Sequence, residues 1–194
     1  MKRLISILLA TAVMTGAAMA QTKKNLVVYF SLAGEQYNVG NITEGNTSIV
    51  AKMIAAETDA DLFELETVKP YSIQNHRALL NEAKDEQAKN ARPALKANRD
   101  ISAYDTVYIG YPIWWGDIPM CVYTFIEAHD WSGKTVVPFC THEGSGLSGT
   151  ESRIHANCKG ATVEKGLAVQ GKTAQTKRAA AQKAVRDWLK QIKK

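Results

Sequence analysis

The sequence predicts a three-layer α/β fold, in which five parallel strands form a sheet with helices on both faces. Short apolar runs rich in β-branched and aromatic residues alternate with segments of helical periodicity, and this order recurs five times. Parallel strands need long crossovers, which helices supply. The loops with unusual compositions all follow strands. They would therefore meet at one edge of the sheet, where ligands bind in such folds.

The first twenty residues, before the first strand, are expected to be a cleaved secretory signal. Lys2 and Arg3 precede an apolar run that ends in the small-x-small triplet 18–20, a pattern suited to signal peptidase. The alternative is an N-terminal membrane anchor, although the run is short for a bilayer span. Cleavage would leave residues 21–194 as one exported domain, periplasmic or secreted, without membrane attachment.

Two strand–helix pairs are predicted in the first half of this domain. LVVYFS, residues 26–31, is the first strand, and SIVAKMIAAET, residues 48–58, is the helix that follows it after a polar segment. DLFELETV, residues 61–68, is the second strand, and a long polar helix spans about 73–90. Both strands have the short apolar content of buried β-structure.

Three more pairs complete the pattern. Strands are predicted at 105–112, 134–140 and 162–169, and helices at 118–129, 147–158 and 170–194. Pro119 lies near the start of its helix, where proline is favoured. Pro138 cannot donate a ladder hydrogen bond, so it indicates a bulge or an edge position in the fourth strand.

Composition limits the possible partners. The formal net charge is +5, and many of the lysines lie in the C-terminal helix, where a solvated helix face is favoured over a nucleic-acid surface. No zinc-ligand spacing supports nucleic-acid binding. Cys121 and Cys140 lie in apolar surroundings and are expected to be buried thiols, although a bridge between cysteines stays open.

The first loop ends in GNTS, residues 45–48, directly before a helix. Backbone N–H groups at a helix N-terminus point toward an incoming anion, and the side chains of Asn46, Thr47 and Ser48 add donors. This pattern favours a phosphate. The alternative is that Asn46 or Thr47 simply caps the helix.

Two adjacent tryptophans, Trp114 and Trp115, stand in the third loop, YPIWWGDIP. The fourth loop, CTHEGSGLSG at 140–149, intersperses glycines with polar side chains. A flat heteroaromatic ring would stack on an indole between the two loops. A ring here and a phosphate at the first loop describe a mononucleotide. The alternative is that both tryptophans pack as core or interface residues.

These motifs resemble those of the flavodoxin family, specifically its exported flavodoxin-like branch. GNT precedes the first helix, GYPIWWGDIP follows the third strand and PFCTHEGSG follows the fourth, while DADLFELETVKPY and NARPAL extend the resemblance over nearly all of the domain. The resemblance implies a flavodoxin-like sandwich with strand order 2-1-3-4-5. It also implies flavin mononucleotide (FMN) as a noncovalent cofactor.

The resemblance assigns the binding residues in three groups. The phosphate group would be Ser31, Gly45, Asn46, Thr47 and Ser48. One flank of the isoalloxazine ring would be Pro112, Ile113, Trp114, Trp115 and Gly116, and the other would be Thr141, His142, Glu143, Gly144, Ser145 and Gly146. One tryptophan would stack on the flavin while its neighbour packs beneath the loop, and the sequence leaves open which does which.

The roles of two polar residues also stay open. Glu143 would lower the flavin potential if it lay near the ring, or would be a solvated carboxylate. His142 would donate to a flavin oxygen or accept a hydrogen bond from surface water.

Two features depart from the family pattern. Residues 32–44 intervene between Ser31 and Gly45, and Glu44 stands where the family has threonine, so a carboxylate is expected near the phosphate. Electron-shuttling flavodoxins are also strongly acidic, whereas this chain is basic. Its redox partners are therefore not expected to be the usual cytoplasmic ones.

Three functions are compatible with these residues. The first is electron transfer through FMN, in which the cofactor performs the chemistry and no side chain is assigned as catalytic. The second is an FMN-dependent NAD(P)H or quinone reductase, and the third is a nonredox module that binds another ligand or a protein. The expected partners are FMN and an unidentified redox protein or small acceptor, but not nucleic acid. SGLSGTE around Thr150 lacks the features of a covalent flavin acceptor.

Overall fold

A parallel sheet divides the molecule into three layers. The structure is a computed structural model that describes residues 24–192, so the predicted signal segment 1–20 lies outside the described residues. The strands are β1 (Asn25–Tyr29), β2 (Gly34–Gln36), β3 (Gly40–Ile42), β4 (Asp61–Glu64), β5 (Thr106–Pro112), β6 (Thr135–His142), β7 (Thr162–Val163) and β8 (Leu167–Gln170). The main sheet has the order β4-β1-β5-β6-β7, with β8 also pairing β6. Since β7 and β8 together form the predicted fifth strand, the order 2-1-3-4-5 is confirmed.

The described residues form six helices, which cover the two faces of the sheet. They are α1 (Asn46–Thr58), α2 (His76–Ala88), α3 (Met120–Glu127), α4 (Thr150–Asn157), α5 (Gly171–Thr176) and α6 (Arg178–Ile192). Alternate strand residues point to opposite faces. Leu26, Val28 and Phe30 therefore join a core cluster with residues of α2, α3 and α4, whereas Val27 and Tyr29 join one with residues of α1, α5 and α6. Within residues 24–192, no helix has the length and apolar character needed to cross a bilayer.

Pro138 lies in an interior strand, so the alternative of an edge position is wrong. The alternative of a bulge is confirmed, because three residues of the fifth strand, 164–166, lie opposite residues 137 and 138 of β6. The carbonyls of Lys134 and Val136 accept hydrogen bonds from the fifth-strand region, at 2.9 Å each. Pro138, two residues further, has the same orientation but no N–H to donate. The partner strand is interrupted at this level, between β7 and β8. The missing donor is therefore accommodated by a gap in the neighbouring strand.

Two local elements differ from the sequence prediction. The inserted residues 32–44 contain the antiparallel hairpin of β2 and β3. The C-terminal helix is two helices, because Lys177 adopts φ −133° and ψ 53° and breaks the helical path. The cysteines Cys121, Cys140 and Cys158 are all buried and free, which confirms buried thiols for the first two.

Candidate functional site

A cavity of about 340 Å³ opens beyond the carboxyl ends of the central strands. The third loop contributes residues 112–115, the fourth loop contributes 141–143, and the start of α1 contributes Asn46. The structure therefore brings part of each predicted group to one place. The predicted residues that are not in its lining are Gly116, Gly144, Ser145, Gly146, Ser31, Gly45, Thr47 and Ser48.

The two tryptophans stand at a tight turn. Trp114 and Asp117 exchange two main-chain hydrogen bonds, each 2.9 Å long. The two residues between them, Trp115 and Gly116, have φ values of 50° and 76°. Positive φ at both central residues is the geometry of a type I′ turn, which glycine adopts easily and tryptophan adopts at a conformational cost. The turn forces the two indoles into different environments.

Trp114 packs against the core. Its indole makes edge-to-face contacts with Phe30 and Tyr71, at ring-centroid distances of 5.3 and 5.2 Å. The Tyr71 hydroxyl in turn donates to a Glu86 carboxylate oxygen at 2.8 Å. Trp114 is half-buried and its remaining surface lies in the cavity lining. It therefore forms part of the support beneath the loop.

Trp115 lies at the mouth of the cavity, with 49% of its surface exposed. Its indole N–H donates to the Leu80 carbonyl at 2.9 Å, and the Lys84 ammonium lies 5.2 Å from the ring centroid. Both contacts come from α2. The exposed aromatic face is thus held in a fixed orientation before any ligand arrives.

Asp117 anchors this turn, although the sequence analysis did not single it out. Its buried carboxylate accepts from the Ile118 amide at 2.7 Å, the Tyr123 hydroxyl at 3.0 Å and the Arg153 guanidinium at 3.0 Å. A carboxylate with several donors is well stabilised in a buried position. The WWGD spacing, with an acid after the turn glycine, is the signal that could have found it.

The fourth loop carries a carboxylate, Glu143, and an imidazole, His142, and each has its own hydrogen-bond partner. The Oε1 atom of Glu143 accepts a hydrogen bond from the Lys172 amide, at 2.9 Å, at the N-terminus of α5. Glu143 is therefore not a free solvated carboxylate, and one of its oxygens is bound to a residue outside the cavity lining. Nδ1 of His142 accepts from the Gly144 amide at 2.9 Å. Burial lowers the pKa of His142, and the nearby Glu143 partly opposes this shift. The neutral imidazole then carries its proton on Nε2.

The first loop closes around the start of α1. Gly45 is the N-cap residue and the helix has no side-chain cap, so the alternative of capping by Asn46 or Thr47 is wrong. A Cβ at Gly45 would lie 2.2 Å from Ser31 Oγ, which explains the glycine. Ser31 Oγ accepts from the Ser48 amide at 3.0 Å.

Thr47 is 1% exposed and its hydroxyl lies 2.8 Å from that of Thr141. The first and fourth loops are therefore joined directly by side chains. The backbone N–H groups of Asn46 and Thr47 donate to no acceptor within residues 24–192. Two unpaired donors thus remain at the positive end of the α1 dipole.

Glu44 turns away from this helix start. Its carboxylate pairs with Lys52 at 2.7 Å and with Arg178 at 3.1 Å. The hydrogen bond from Lys52, and secondly that from Arg178, lower the pKa of Glu44 against the opposing effect of burial. The two cations neutralise a charge that would otherwise repel an anion at α1.

Six lining residues were not predicted. They are Gln36 and Tyr37 of the inserted segment and His76, Leu79, Leu80 and Ala83 of α2. The aromatic residue in an otherwise polar insertion was the available signal for Tyr37. The α2 residues gave none, because apolar positions on a helix are equally expected to face the core.

The family model described as Flavodoxin matches residues 24–192. A candidate flavoprotein from Bacteroides eggerthii is 31% identical, and the alignment covers 88% of this chain and 98% of that chain with a TM-score of 0.69. A candidate flavoprotein from Bacteroides uniformis is 31% identical, with 87% and 98% coverage and the same TM-score. A Lactobacillus acidophilus flavoprotein in complex with FMN is 24% identical, with 78% and 95% coverage and a TM-score of 0.59. Among curated proteins, none matches the chain.

Proposed function

The chain belongs to the flavodoxin family, and on this premise we propose that it binds FMN noncovalently in the cavity and transfers electrons through it. One observation carries the proposal. The half-exposed indole of Trp115 and the start of α1, with its unpaired backbone N–H groups, lie at the same cavity. FMN has a planar ring and a phosphate, which match these two features. The FMN complex of the similar Lactobacillus protein also supports this cofactor.

The apolar part of the cavity fits a planar ring. Trp115 presents an indole face, and Ile113, Leu79 and Ala83 add apolar surface nearby. Cavities for small ligands are usually lined this way, with few polar groups that fix orientation. Thr141, His142 and Glu143 supply those polar groups at one side. The lining therefore suits a heteroaromatic ring that has hydrogen-bonding atoms on one edge.

The helix end fits a phosphate. Asn46 belongs to both the cavity lining and the start of α1, so the two halves of the site are continuous. The free amides of Asn46 and Thr47 can donate to an anion, and the α1 dipole adds to its stabilisation. The pairing of Glu44 with Lys52 and Arg178 removes the unfavourable charge expected there.

When bound, FMN supplies the capacity to accept and return electrons. The chain itself binds the ring, orients it and limits its contact with water. We infer that Trp115 is the tryptophan that contacts the ring, because Trp114 is committed to Phe30 and Tyr71. The electron donor or acceptor is proposed to be a redox protein or small molecule in the exported compartment, reached after cleavage of residues 1–20.

Calorimetric titration of residues 21–194 with FMN and with riboflavin tests the proposal. FMN is expected to bind much more tightly, since only FMN carries the phosphate. Asn46→Asp keeps the acceptor that Gln175 contacts at 3.0 Å but adds a negative charge. This variant should weaken FMN binding at least about tenfold and leave riboflavin unchanged.

Asn98→Asp is the matched control. The Asn98 side chain likewise accepts a hydrogen bond, from the Arg99 amide, and Arg99 pairs with Asp61 at the opposite edge of the sheet. This variant should bind both ligands like the wild type. Equal affinities of the wild type for FMN and riboflavin would contradict the phosphate assignment, and no affinity for either would contradict the proposed function.

A further inference from the structure

The inserted hairpin of β2 and β3 is fixed to the start of α2. The Glu35 amide donates to the Ile73 carbonyl at 3.1 Å, and a Glu35 carboxylate oxygen accepts from the His76 amide at 3.1 Å. Gly34 makes the approach possible, because a Cβ there would lie 2.3 Å from the Ile73 carbonyl oxygen. The hairpin and α2 thus form one continuous side of the cavity.

This side carries its own aromatic pair. The ring of Tyr37 stacks on that of His76, with centroids 6.3 Å apart and planes inclined by 13°. Nδ1 of His76 is buried and makes no hydrogen bond within the described part of the chain. A buried nitrogen without a partner is unfavourable. The ring contact with Tyr37 is therefore not accompanied by a hydrogen bond at Nδ1 within the described residues.

Tyr37 itself is exposed to an unusual degree. Of its surface, 62% is accessible, although the residue lines the cavity and its hairpin is anchored. Within the part of the chain that the structure describes, Trp115 is the other large exposed hydrophobic side chain on this cavity, and Leu62 and Val68, also exposed, are not in its lining. Exposed aromatic surface that is concentrated at one cavity indicates a ligand-contacting surface. The fourth loop, by contrast, contributes no aromatic ring other than the imidazole of His142.

We propose that Tyr37 and His76 form a second aromatic wall, in which Tyr37 contacts the bound planar ring and determines its affinity and its shielding from solvent. The inference rests on the proposed function, with FMN as the ring. Trp115, held by the third-loop turn, would contact the ring from one side of the cavity. Tyr37, held by the insertion, would contact it from another. The insertion that departs from the family pattern then becomes part of the flavin site.

Truncation of Tyr37 tests the contact itself. Tyr37→Ala should raise the dissociation constant of FMN by at least roughly 3- to 10-fold, the range expected from the stacking geometry of one aromatic contact before any buried area is added. Iodide quenching of the residual fluorescence of bound flavin should also become more efficient. Tyr37→Phe keeps the ring and should behave like the wild type. Val68→Ala removes a comparably exposed side chain, 60% accessible, away from the cavity and should change neither quantity.

Two glycines of the same hairpin test whether its attachment to α2 matters. Gly34 and Gly40 have φ values of 90° and 94°, so alanine is similarly strained at both. Only at Gly34 does an added Cβ meet a neighbour, since nothing lies within 4 Å at Gly40. Gly34→Ala should therefore reproduce the loss of affinity and the increased iodide access of Tyr37→Ala, and Gly40→Ala should not.

The outcomes separate this inference from the proposed function. If the wild type binds FMN but Tyr37→Ala shows unchanged affinity and iodide access, the second aromatic wall is overturned while the proposed function stands. Equal effects of Gly34→Ala and Gly40→Ala would overturn the role of the anchored hairpin. If the wild type binds no FMN, the proposed function and this inference fail together.

Discussion

Replacement of Trp115 by alanine is expected to impair flavin binding much more than folding. A tryptophan offers up to roughly 250 Å² of surface, so the exposed 49% corresponds to about 120 Å². If a stacked ring covers half to two thirds of it, burial at about 25 cal/mol per Å² contributes about 1.5–2 kcal/mol. The stacking geometry adds about 0.5–1.5 kcal/mol. The dissociation constant for FMN should therefore rise by roughly 30- to 400-fold.

Trp114 provides the comparison within the same turn. It packs on Phe30 and Tyr71, so Trp114→Ala should reduce the free energy of unfolding by about 3 kcal/mol. For a domain of this size, such a loss lowers the melting temperature by about 6–12 °C. Trp115→Ala, by contrast, removes a half-exposed side chain and should lower it by much less.

Flavin fluorescence titrations and melting curves of the two apoproteins distinguish the expected effects. Trp115→Ala should also restore flavin emission, because an adjacent indole quenches it. The reasoning is refuted if Trp115→Ala binds FMN with the affinity and quenching of the wild type. It is equally refuted if Trp114→Ala is the variant that loses affinity without losing stability.

Three further predictions follow from side-chain contacts. Thr47→Ala leaves the buried Thr141 hydroxyl without its partner and should destabilise the protein by about 1–2 kcal/mol in urea unfolding, whereas an unchanged midpoint would contradict the contact. Asp117→Asn weakens the contacts to Arg153 and Tyr123 and should lower the free energy of unfolding by about 1–3 kcal/mol. The loss should be seen in urea unfolding at low and at high salt concentration. Because burial lowers the pKa of His142, the unfolded state takes up the proton first as pH falls below 6.5; stability should decline there, and His142→Gln should reduce that slope.

The strands and most helices were predictable because their signals are local. LVVYFS and DTVYIGYP have no polar face, as expected of strands covered on both sides. Of the two alternatives predicted at Pro138, the edge position was wrong, whereas the bulge was confirmed by a one-residue change of register between β6 and the fifth strand. A single strand's sequence shows that a donor is missing, but the gap that accommodates it lies in another strand, between β7 and β8.

The candidate site was predictable where loops follow strands. Parallel topology brings the first, third and fourth loops to one edge, so Asn46, Trp115 and Thr141 were expected to be neighbours and do line one cavity. The wall of Tyr37 and His76 was not expected. It depends on the packing of the hairpin of β2 and β3 against α2, which begins at His76, far along the chain, and no periodic pattern encodes such a contact.

The two C-terminal helices, α5 and α6, were also not predictable from local sequence patterns, and their contacts affect the charge of Glu44. The sequence predicts one solvated helix, but the break at Lys177 lets α5 approach the first loop, where Gln175 donates to the Glu44 carbonyl at 2.6 Å. Arg178, directly after the break, pairs with the Glu44 carboxylate. Gln175 and Arg178 are three residues apart and contact the same residue of the first loop, one through its main chain and one through its side chain. The pairing of Glu44 with Arg178 and Lys52 therefore explains how a chain with an acid beside its proposed phosphate site keeps that site favourable for an anion.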